Sequence, residues 1–237
     1  MPVMEKSDLT PRQYWEQVKA NPNRARFGFG QKAALINIDL QRAYTDIDSF
    51  RTAYQTDPGQ IEYINQLSKL ARDRNMPVIW TYVAYMENAD DAGAWGTRTN
   101  TPDSLQNIKE GDERAEQDPR LDIDTERDAV INKRMASVFH DTLIPSLLVW
   151  HQVDTVILTG GSTSGCIRAS CVASLSTGYR TIVPEECVAV KHEIPHFANL
   201  CDMMLKYADV EPVTRVRDWL QSHPGCEPIR EARGVSF

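Results

Sequence analysis

Short apolar runs alternate with segments of helical periodicity between residues 33 and 216. This alternation is typical of strand–helix–strand units, in which parallel strands form one sheet and helices cover both of its faces. The sequence therefore predicts an α/β chain with a Rossmann-like three-layer α/β/α architecture and a central parallel sheet of about six strands. The predicted strands are 33–39, 77–85, 129–132, 155–159, 180–183 and 213–216. The predicted helices are 59–75, 141–151, 166–177 and 195–207.

The length of the chain, 237 residues, fits one α/β domain, which we place at residues 31–222. Residues 1–30 are polar with scattered aromatics and predict an arm that packs on the domain or on a neighbouring subunit. A short helix is expected within this arm, around residues 10–18, and residues 223–237 form a C-terminal tail. The polar stretch 86–125 has the length of a functional loop, often a lid or a subunit contact.

Charge and hydropathy limit the kinds of partner. The formal net charge is −7 and no run of lysine and arginine stands out, so we expect neither a nucleic-acid nor an anionic-membrane partner. No apolar run approaches the ~20 residues of a membrane span, and the N-terminus lacks the pattern of a signal peptide. The sequence thus predicts a cytoplasmic protein that acts on a small molecule.

The cysteines are odd in number, contain no Cys-x-x-Cys pair and lie in the C-terminal third of the chain. This pattern predicts neither a disulfide framework nor a zinc site. The five cysteines are Cys166, Cys171, Cys187, Cys201 and Cys226. We expect Cys171, Cys187 and Cys201 to be small buried core residues.

Cys166 is in a different kind of position. Residues 153–174 run from an apolar strand through a polar turn into a helix that is predicted to begin at this cysteine. A cysteine there lies near the positive end of the helix dipole and near unpaired amide hydrogens, which favour the thiolate form. The position therefore indicates a nucleophile.

Two charged residues, Asp39 and Lys133, also follow apolar strand-like runs. Ligands of open parallel sheets bind beyond the carboxyl ends of the strands, so we expect Asp39, Lys133 and Cys166 to meet at one sheet edge. A carboxylate can remove the proton of a thiol, and an ammonium can stabilise the resulting anion. The amides of Ser162 and Cys166 are candidate donors to the oxyanion that forms after attack on a carbonyl.

These residues also occur in three short motifs: Asp39-x-Gln, Asn-Lys133, and Gly-Gly-Ser-Thr-Ser-Gly-Cys166. Together they resemble the isochorismatase-like cysteine hydrolases, and the segment around Cys166 is similar to the N-carbamoylsarcosine amidase branch. The resemblance covers residues 28–218. It implies that Asp39 is the base, Lys133 the activating cation and Cys166 the nucleophile.

In the family that these motifs resemble, the thiol attacks an amide or ureido carbonyl, ammonia leaves, and water cleaves the thioester. The resemblance also implies a non-proline cis peptide bond between Gly161 and Ser162, and a homo-oligomer, expected to be a tetramer. Nicotinamidases, a sister branch, bind a metal through a cluster that includes histidine. Because no histidine precedes His140 here, we expect no metal and no cofactor.

Four residues are candidates for substrate binding: Lys191, His192, Gln41 and Tyr44. Lys191 stands where the N-carbamoylsarcosine amidase branch has an arginine for the substrate carboxylate, and a lysine grips a carboxylate differently. This departure favours a ureido compound such as biuret or triuret. Two arginines near the motifs, Arg134 and Arg168, are predicted to form structural ion pairs or subunit contacts.

Three functional hypotheses follow. The first is a metal-free cysteine amidohydrolase that releases ammonia from a small linear ureido or carbamoyl compound, like N-carbamoylsarcosine, biuret or triuret. The second is an amidase of a short carboxylic amide such as maleamate, with Lys191 as the carboxylate anchor. The third is a redox-sensing protein in which Cys166 is an exposed thiol of low pKa, which leaves Asp39 and Lys133 without a role.

Overall fold

The computed structural model describes residues 7–229. Within them the chain forms a seven-stranded sheet and eight α-helices. The strands are β1 Ala33–Ile38, β2 Val78–Tyr82, β3 Ala129–Asn132, β4 Thr155–Gly161, β5 Arg180–Pro184, β6 Val188–Ala189 and β7 Asp209–Glu211. The helices are α1 Pro11–Ala20, α2 Arg42–Thr45, α3 Gln60–Asp73, α4 Gly93–Gly96, α5 Ile144–Trp150, α6 Arg168–Ser176, α7 Glu193–Lys206 and α8 Val213–Ser222.

The sheet has the strand order β3-β2-β1-β4-β5-β7, and β6 adds to the end of β4. All neighbouring strands pair in parallel. Because the strands run in the same direction, the carboxyl ends of β1, β3 and β4 lie along one edge of the sheet. The predicted parallel sheet is therefore confirmed, with one short strand more than expected.

Helices cover both faces of the sheet because side chains along each strand alternate in direction. On β1, Ala34 and Ile36 face the core that includes buried residues of α1, α5, α6 and α7. Leu35 faces the opposite core, which α3 and α8 complete with residues such as Ile64 and Leu220. The result is the three-layer α/β/α architecture that the alternation predicts.

The prediction of a strand at 213–216 is wrong, because these residues begin α8. Val213, Val216 and Leu220 recur with helical spacing and are buried on one face of α8, toward the core shared with α3. The strand in this region is instead β7, whose two acidic residues disguise it in the sequence. Asp209 accepts hydrogen bonds from the amides of Phe27 and Gly28, which explains how a charged residue is accommodated in a buried strand.

The predicted N-terminal arm contains α1, which begins after a capping box formed by Thr10 and Gln13. This helix packs on α7 of its own chain. Its anchor is Trp15, which is fully buried and donates a hydrogen bond from Nε1 to Glu185 Oε1 at 2.7 Å. Residues 1–6 of the arm and 230–237 of the tail lie outside the described residues.

The long polar segment 86–125 packs against the sheet edge through short helical turns. Besides α4 it contains two 3₁₀ turns, Leu105–Asn107 and Glu113–Ala115. Tyr85 connects it to the end of β2, because its amide donates to Ile108 O and its carbonyl accepts from Glu110. None of the helices in residues 7–229 has the length and apolar character needed to cross a bilayer.

Candidate active site

Asp39, Lys133 and Cys166 meet at the carboxyl edge of the sheet. Asp39 directly follows β1, Lys133 directly follows β3, and Cys166 lies five residues after β4. The structure therefore brings together the three side chains that the sequence places at strand ends. The parallel topology explains this arrangement, because every strand that runs in the same direction ends at the same edge.

Lys133 is at the centre of the group. Its Nζ lies 2.8 Å from Asp39 Oδ2, donates to Cys166 Sγ at 3.4 Å and donates to the carbonyl of Met135 at 3.1 Å. Lys133 is fully buried, Asp39 is 2% exposed and Cys166 is 8% exposed. Because Cys166 keeps the largest exposed fraction of the three, the sulfur is the part of the triad best placed to meet an entering molecule.

Thr81 of β2 fixes the orientation of the Asp39 carboxylate. Its hydroxyl donates to Asp39 Oδ1 at 2.8 Å, and its carbonyl accepts from the Asp39 amide at 3.1 Å. Asp39 has a φ of 53°, in the left-handed region that aspartate tolerates better than most residues. The carboxylate thus has one oxygen on Thr81 and the other on Lys133.

Burial and the neighbouring charges act in different directions on the pKa of the Cys166 thiol. Burial raises the pKa of the Cys166 thiol to about 12; Lys133 opposes this shift and Asp39 adds to it. For Lys133, burial alone would lower the pKa, but the charges of Asp39 and Cys166 raise it above its usual value. Burial thus opposes ionisation of the Cys166 thiol, whereas the neighbouring Lys133 ammonium favours it. That the turn favours the thiolate form of Cys166 stays a prediction, and burial of the sulfur acts against it.

The backbone around Cys166 forms a π-helical turn, Thr163–Ile167, which precedes α6; we call it the π turn. The carbonyl of Ser162 accepts from the amide of Gly165 at 3.0 Å and from the amide of Ile167, five residues on, at 3.1 Å. In an α-helix this carbonyl would accept from Cys166. Among the hydrogen bonds of the described residues, the Cys166 amide does not bind Ser162. The helix predicted to begin at Cys166 begins instead at Arg168.

The peptide bond between Gly161 and Ser162 is cis, as the family resemblance implies. Gln60 of α3, a buried residue, contacts the backbone nearby. Its Nε2 donates to the carbonyls of Gly160 and Cys187, both at 3.1 Å. The end of β4 and the start of β6 are thereby fixed to the same side chain.

Four aromatic residues surround the triad, and the sequence predicts only Tyr44 among them. The others are Tyr54, Tyr85 and Trp95. The Trp95 ring centroid lies 5.7 Å from Lys133 Nζ, and the Tyr85 hydroxyl donates to the carbonyl of Arg134 at 3.0 Å. The three additional residues lie in the segments that follow β1 and β2, so aromatic residues beyond strand ends are the signal that could have found them.

Tyr44 and Tyr54 lie side by side, with ring centroids 6.1 Å apart. Burial, together with the charges of Asp39 and Cys166, raises the pKa of both phenols well above the usual value, so both hydroxyls stay protonated. A Cβ added to Gly161 would collide with the Tyr54 hydroxyl, which places that hydroxyl against the cis peptide. Within residues 7–229 neither hydroxyl has a hydrogen-bond partner, so both are available to a ligand.

The other candidate substrate contacts are placed differently. Gln41 is fully buried, and its Nε2 donates to the carbonyls of Val83 and Arg114, both at 2.9 Å. Its Oε1 accepts from the amide of Val83 at 2.6 Å. These bonds fix the Gln41 side chain between the loops, and substrate contact by Gln41 stays a prediction.

Lys191 and His192 lie on the exposed surface at the start of α7. The Lys191 ammonium donates to the carbonyl of Arg51, three residues before Tyr54. Substrate contact by either residue stays a prediction. Lys191 nevertheless lies beside the segment that carries Tyr54.

Arg134 and Arg168 form the predicted ion pairs. Arg134 contacts Asp91 and lies 3.1 Å from Glu110, whereas Arg168 lies 3.7 Å from Asp202 on the surface.

In the part of the chain that the structure describes, no group of three or more histidine, cysteine, aspartate or glutamate side chains is arranged to hold a metal ion.

A cavity of about 470 Å³ lies next to the site but does not include the triad. It is formed by α2, the segment up to α3 and residues 116–120, and Tyr54 is in its wall. In the wall Arg42 pairs with Asp46 and Arg120 with Asp118, but acidic side chains outnumber the arginines there.

Comparisons with known proteins agree with this geometry. The model of the isochorismatase domain matches residues 33–215. The chain is 39% identical over 194 residues to maleamate amidohydrolase from Pseudomonas putida, covering 80% of this chain and 86% of that protein. It is 28% identical over 214 residues to N-carbamoylsarcosine amidase from an Arthrobacter species, covering 86% and 77% of the two chains. The crystal structure of a cysteine hydrolase from Pseudomonas syringae pv. phaseolicola has the same fold, with a TM-score of 0.74, 19% identity and coverage of 84% and 97%.

Proposed function

The chain belongs to the isochorismatase domain family, and from that premise we propose that it is a cysteine amidohydrolase that releases ammonia from a small amide or ureido compound through a thioester on Cys166. The observation that carries the proposal is the position of Lys133 Nζ, 2.8 Å from Asp39 and 3.4 Å from Cys166 in a buried site. A buried cation between a carboxylate and a thiol can control where the thiol proton goes. The names of the two relatives support hydrolysis of an amide bond.

The raised pKa of the buried Cys166 thiol supports the following order of proton transfers. As Sγ attacks the carbonyl carbon, the thiol proton moves to Asp39, because burial raises the pKa of the thiol and so favours proton transfer during the attack over ionisation beforehand. The C–N bond then breaks, and the leaving nitrogen takes the proton from Asp39 and departs as ammonia. Water attacks the thioester, gives a proton back through Asp39, and restores the thiol of Cys166. Lys133 keeps its charge throughout and stabilises the sulfur when it carries negative charge.

The π turn supports an oxyanion site at its start. Because the Cys166 amide does not bind the Ser162 carbonyl, it can donate to the oxygen of a tetrahedral intermediate. The amide of Ser162 is the second proposed donor. Removing one donor of this kind typically costs ~3 kcal/mol of transition-state stabilisation.

The side chains around the triad favour an uncharged substrate that is rich in carbonyl oxygens. Tyr44 and Tyr54 offer two protonated hydroxyls without protein partners, and such groups donate to carbonyl oxygens. The charge of Lys133, the cation of the triad, is balanced by the charge of Asp39. These features support a linear ureido compound such as biuret or triuret, whose carbonyls accept hydrogen bonds but need no counter-charge.

A second candidate is a short carboxylic amide such as maleamate. The 39% identity to maleamate amidohydrolase favours it. In this case Lys191 would leave the Arg51 carbonyl and bind the carboxylate of the substrate. The two candidates share the triad chemistry and differ in whether Lys191 contributes.

The test is ammonia release by the purified protein on biuret, triuret, N-carbamoylsarcosine and maleamate, with Cys166→Ala and Lys191→Met as variants. We expect Cys166→Ala to remove all turnover while the circular dichroism spectrum stays unchanged. Intact-mass analysis of the quenched wild type should find an acyl adduct on Cys166. Turnover by Cys166→Ala would overturn the thioester mechanism.

The Lys191→Met variant separates the two substrates. With an uncharged ureido substrate such as biuret or triuret, we expect its kcat/KM to remain within about twofold of the wild-type value, since a surface substitution away from the reaction has little effect. If the substrate is a carboxylic amide, loss of the anchor should lower kcat/KM through KM.

The tetrameric state and the cytoplasmic location remain predictions, and sedimentation of the purified protein tests the first.

A further inference from the structure

A buried histidine lies behind the nucleophile and has no part in the proposed reaction. His196, in the first turn of α7, is 3% exposed. Its Nδ1 lies 3.0 Å from the hydroxyl oxygen of Thr163, a fully buried residue that begins the π turn. The Thr163 hydroxyl has this one hydrogen-bond partner among the described residues. The pair joins α7 to the turn that carries Cys166.

The surroundings of His196 favour a fixed, neutral ring. The Phe197 ring packs edge-on against the His196 ring, with 4.9 Å between the ring centroids. The guanidinium of Arg12, in α1, stacks on the Phe197 ring. Arg12 is in turn 2.8 Å from Glu193. Burial, and secondarily Arg12, lowers the pKa of His196 to about 4, while Glu193 opposes the shift. The imidazole is therefore uncharged at neutral pH and is held in one place by α1 and α7.

The shape of the π turn depends on where Thr163 is held. A π turn is less common than an α turn and usually occurs where tertiary contacts or function require it. Here the wide turn places the Ile167 amide on Ser162 and leaves the Cys166 amide unbonded to that carbonyl. If Thr163 could move, the turn could tighten to the α form, and Ser162 would then accept from Cys166 instead.

We propose that His196 is a positioning residue: through its hydrogen bond to Thr163 it keeps the turn in the π form, so that the Cys166 amide can donate to the reacting oxygen. The proposal rests on the amidohydrolase function only for its kinetic consequence. The structural consequence, the form of the turn, does not depend on any substrate. His196 itself touches neither the triad nor the substrate in this account.

The kinetic test uses His196→Leu, Thr163→Val and the double variant, assayed with whichever amide or ureido compound the wild type hydrolyses. We expect each single variant to lower kcat by about 10- to 100-fold with little change in KM, as small displacements of reacting groups do. The double variant should be no slower than the worse single variant, because both changes break one hydrogen bond. Additive losses would overturn the proposal.

Matched variants separate this role from general support of the fold. Cys201→Ala removes a buried side chain of the same helix that has no polar contact with the π turn, and should leave kcat within about twofold. His196→Asn carries an amide near the former Nδ1 and should recover most of the lost kcat. An effect of Cys201→Ala equal to that of His196→Leu, or no recovery in His196→Asn, would contradict positioning by the hydrogen bond.

A crystal structure of His196→Leu gives a readout that is independent of turnover. We expect the Ile167 amide to have left the Ser162 carbonyl and the Cys166 amide to have taken its place. An unchanged π turn would overturn the proposal even if activity fell. If the wild type hydrolyses none of the compounds, the proposed function fails, whereas this structural comparison still decides the role of His196.

Discussion

At the scale of single residues, the buried pair Asp39–Lys133 has a structural role besides the chemical role proposed for it. Both side chains are almost completely buried, and each satisfies the charge of the other. Removing one partner of such a pair leaves a buried charge uncompensated, which typically costs ~3–5 kcal/mol. The sequence alone suggests that Asp39→Asn would leave the fold intact; the burial of Lys133 makes a loss of stability the better expectation.

We predict that Asp39→Asn lowers kcat by at least about 100-fold, because the general base is lost, and lowers the free energy of unfolding by ~3 kcal/mol. Steady-state kinetics and urea denaturation measure the two effects. The double variant Asp39→Asn, Lys133→Met removes the stranded charge and serves as control. It should regain stability but not activity, and recovery of kcat in it would argue against Asp39 as the base.

At the scale of structural elements, the close pairing of β1 and β4 sets the position of the triad. In their register Ile38 lies beside Gly160, and Asp39 follows directly. Gly160 has a φ of 103°, which side chains rarely adopt, and a Cβ added there would collide with the carbonyl of Ile38. A glycine at this position is therefore required for the two strand ends to approach.

Gly160→Ala should lower the free energy of unfolding by more than ~2 kcal/mol and reduce activity, because β1 and β4 must separate at the site. Gly178→Ala is a matched control, since Gly178 has a similar φ of 94° but nothing within 4 Å of an added Cβ. It should cost only ~1 kcal/mol and spare activity. Thermal denaturation and kinetics of both variants test this; equal effects would mean that the backbone angle, not the contact, decides.

At the scale of the whole molecule, α1 closes one face of the core. Trp15 is fully buried, whereas its neighbour Tyr14 is 44% exposed. We predict that Trp15→Ala lowers the free energy of unfolding by ~3–5 kcal/mol, as the loss of a buried aromatic residue does. Tyr14→Ala should change it by less than ~0.5 kcal/mol. Urea denaturation followed by circular dichroism compares the two, and similar midpoints would show that α1 is only loosely attached.

His196 also affects the pH dependence of global stability. Its pKa is about 4 in the folded chain and near 6.5 when unfolded, so the unfolded chain binds the extra proton first as the pH falls. The contribution is fully present above pH ~6.5 and is lost as the pH falls toward ~4, with a slope of about 1.4 kcal/mol per pH unit. The total loss is ~3 kcal/mol.

Denaturation series at pH 7, 6, 5 and 4.5 should therefore show a shallower decline in His196→Asn than in the wild type. His192→Gln, an exposed histidine four residues earlier, should follow the wild type. Parallel curves for the wild type and His196→Asn would mean that groups other than this imidazole cause the loss of stability in acid.

The sequence by itself determined the class of fold and which three side chains meet at the edge of the sheet. Alternating apolar and helical segments predict a parallel sheet, and parallel strands must end at one edge, so Asp39, Lys133 and Cys166 could be placed together without coordinates. It also predicts the cis bond before Ser162, through the family resemblance. It does not distinguish a short apolar helix from a strand, which is why 213–216 is assigned wrongly and β7, with its acidic residues, is missed.

Only the tertiary structure decided how these residues behave. Burial raises the pKa of Cys166, although a helix end alone would favour the thiolate, because desolvation depends on everything packed around the sulfur. Tyr54 and Trp95 lie beyond strand ends and His196 lies in α7, and only packing decides which of the residues in such positions reach the site. Gln41, close to Asp39 in sequence, has its amide bound to backbone instead. Sequence order specifies which strand ends converge, whereas packing determines which side chains face the reaction.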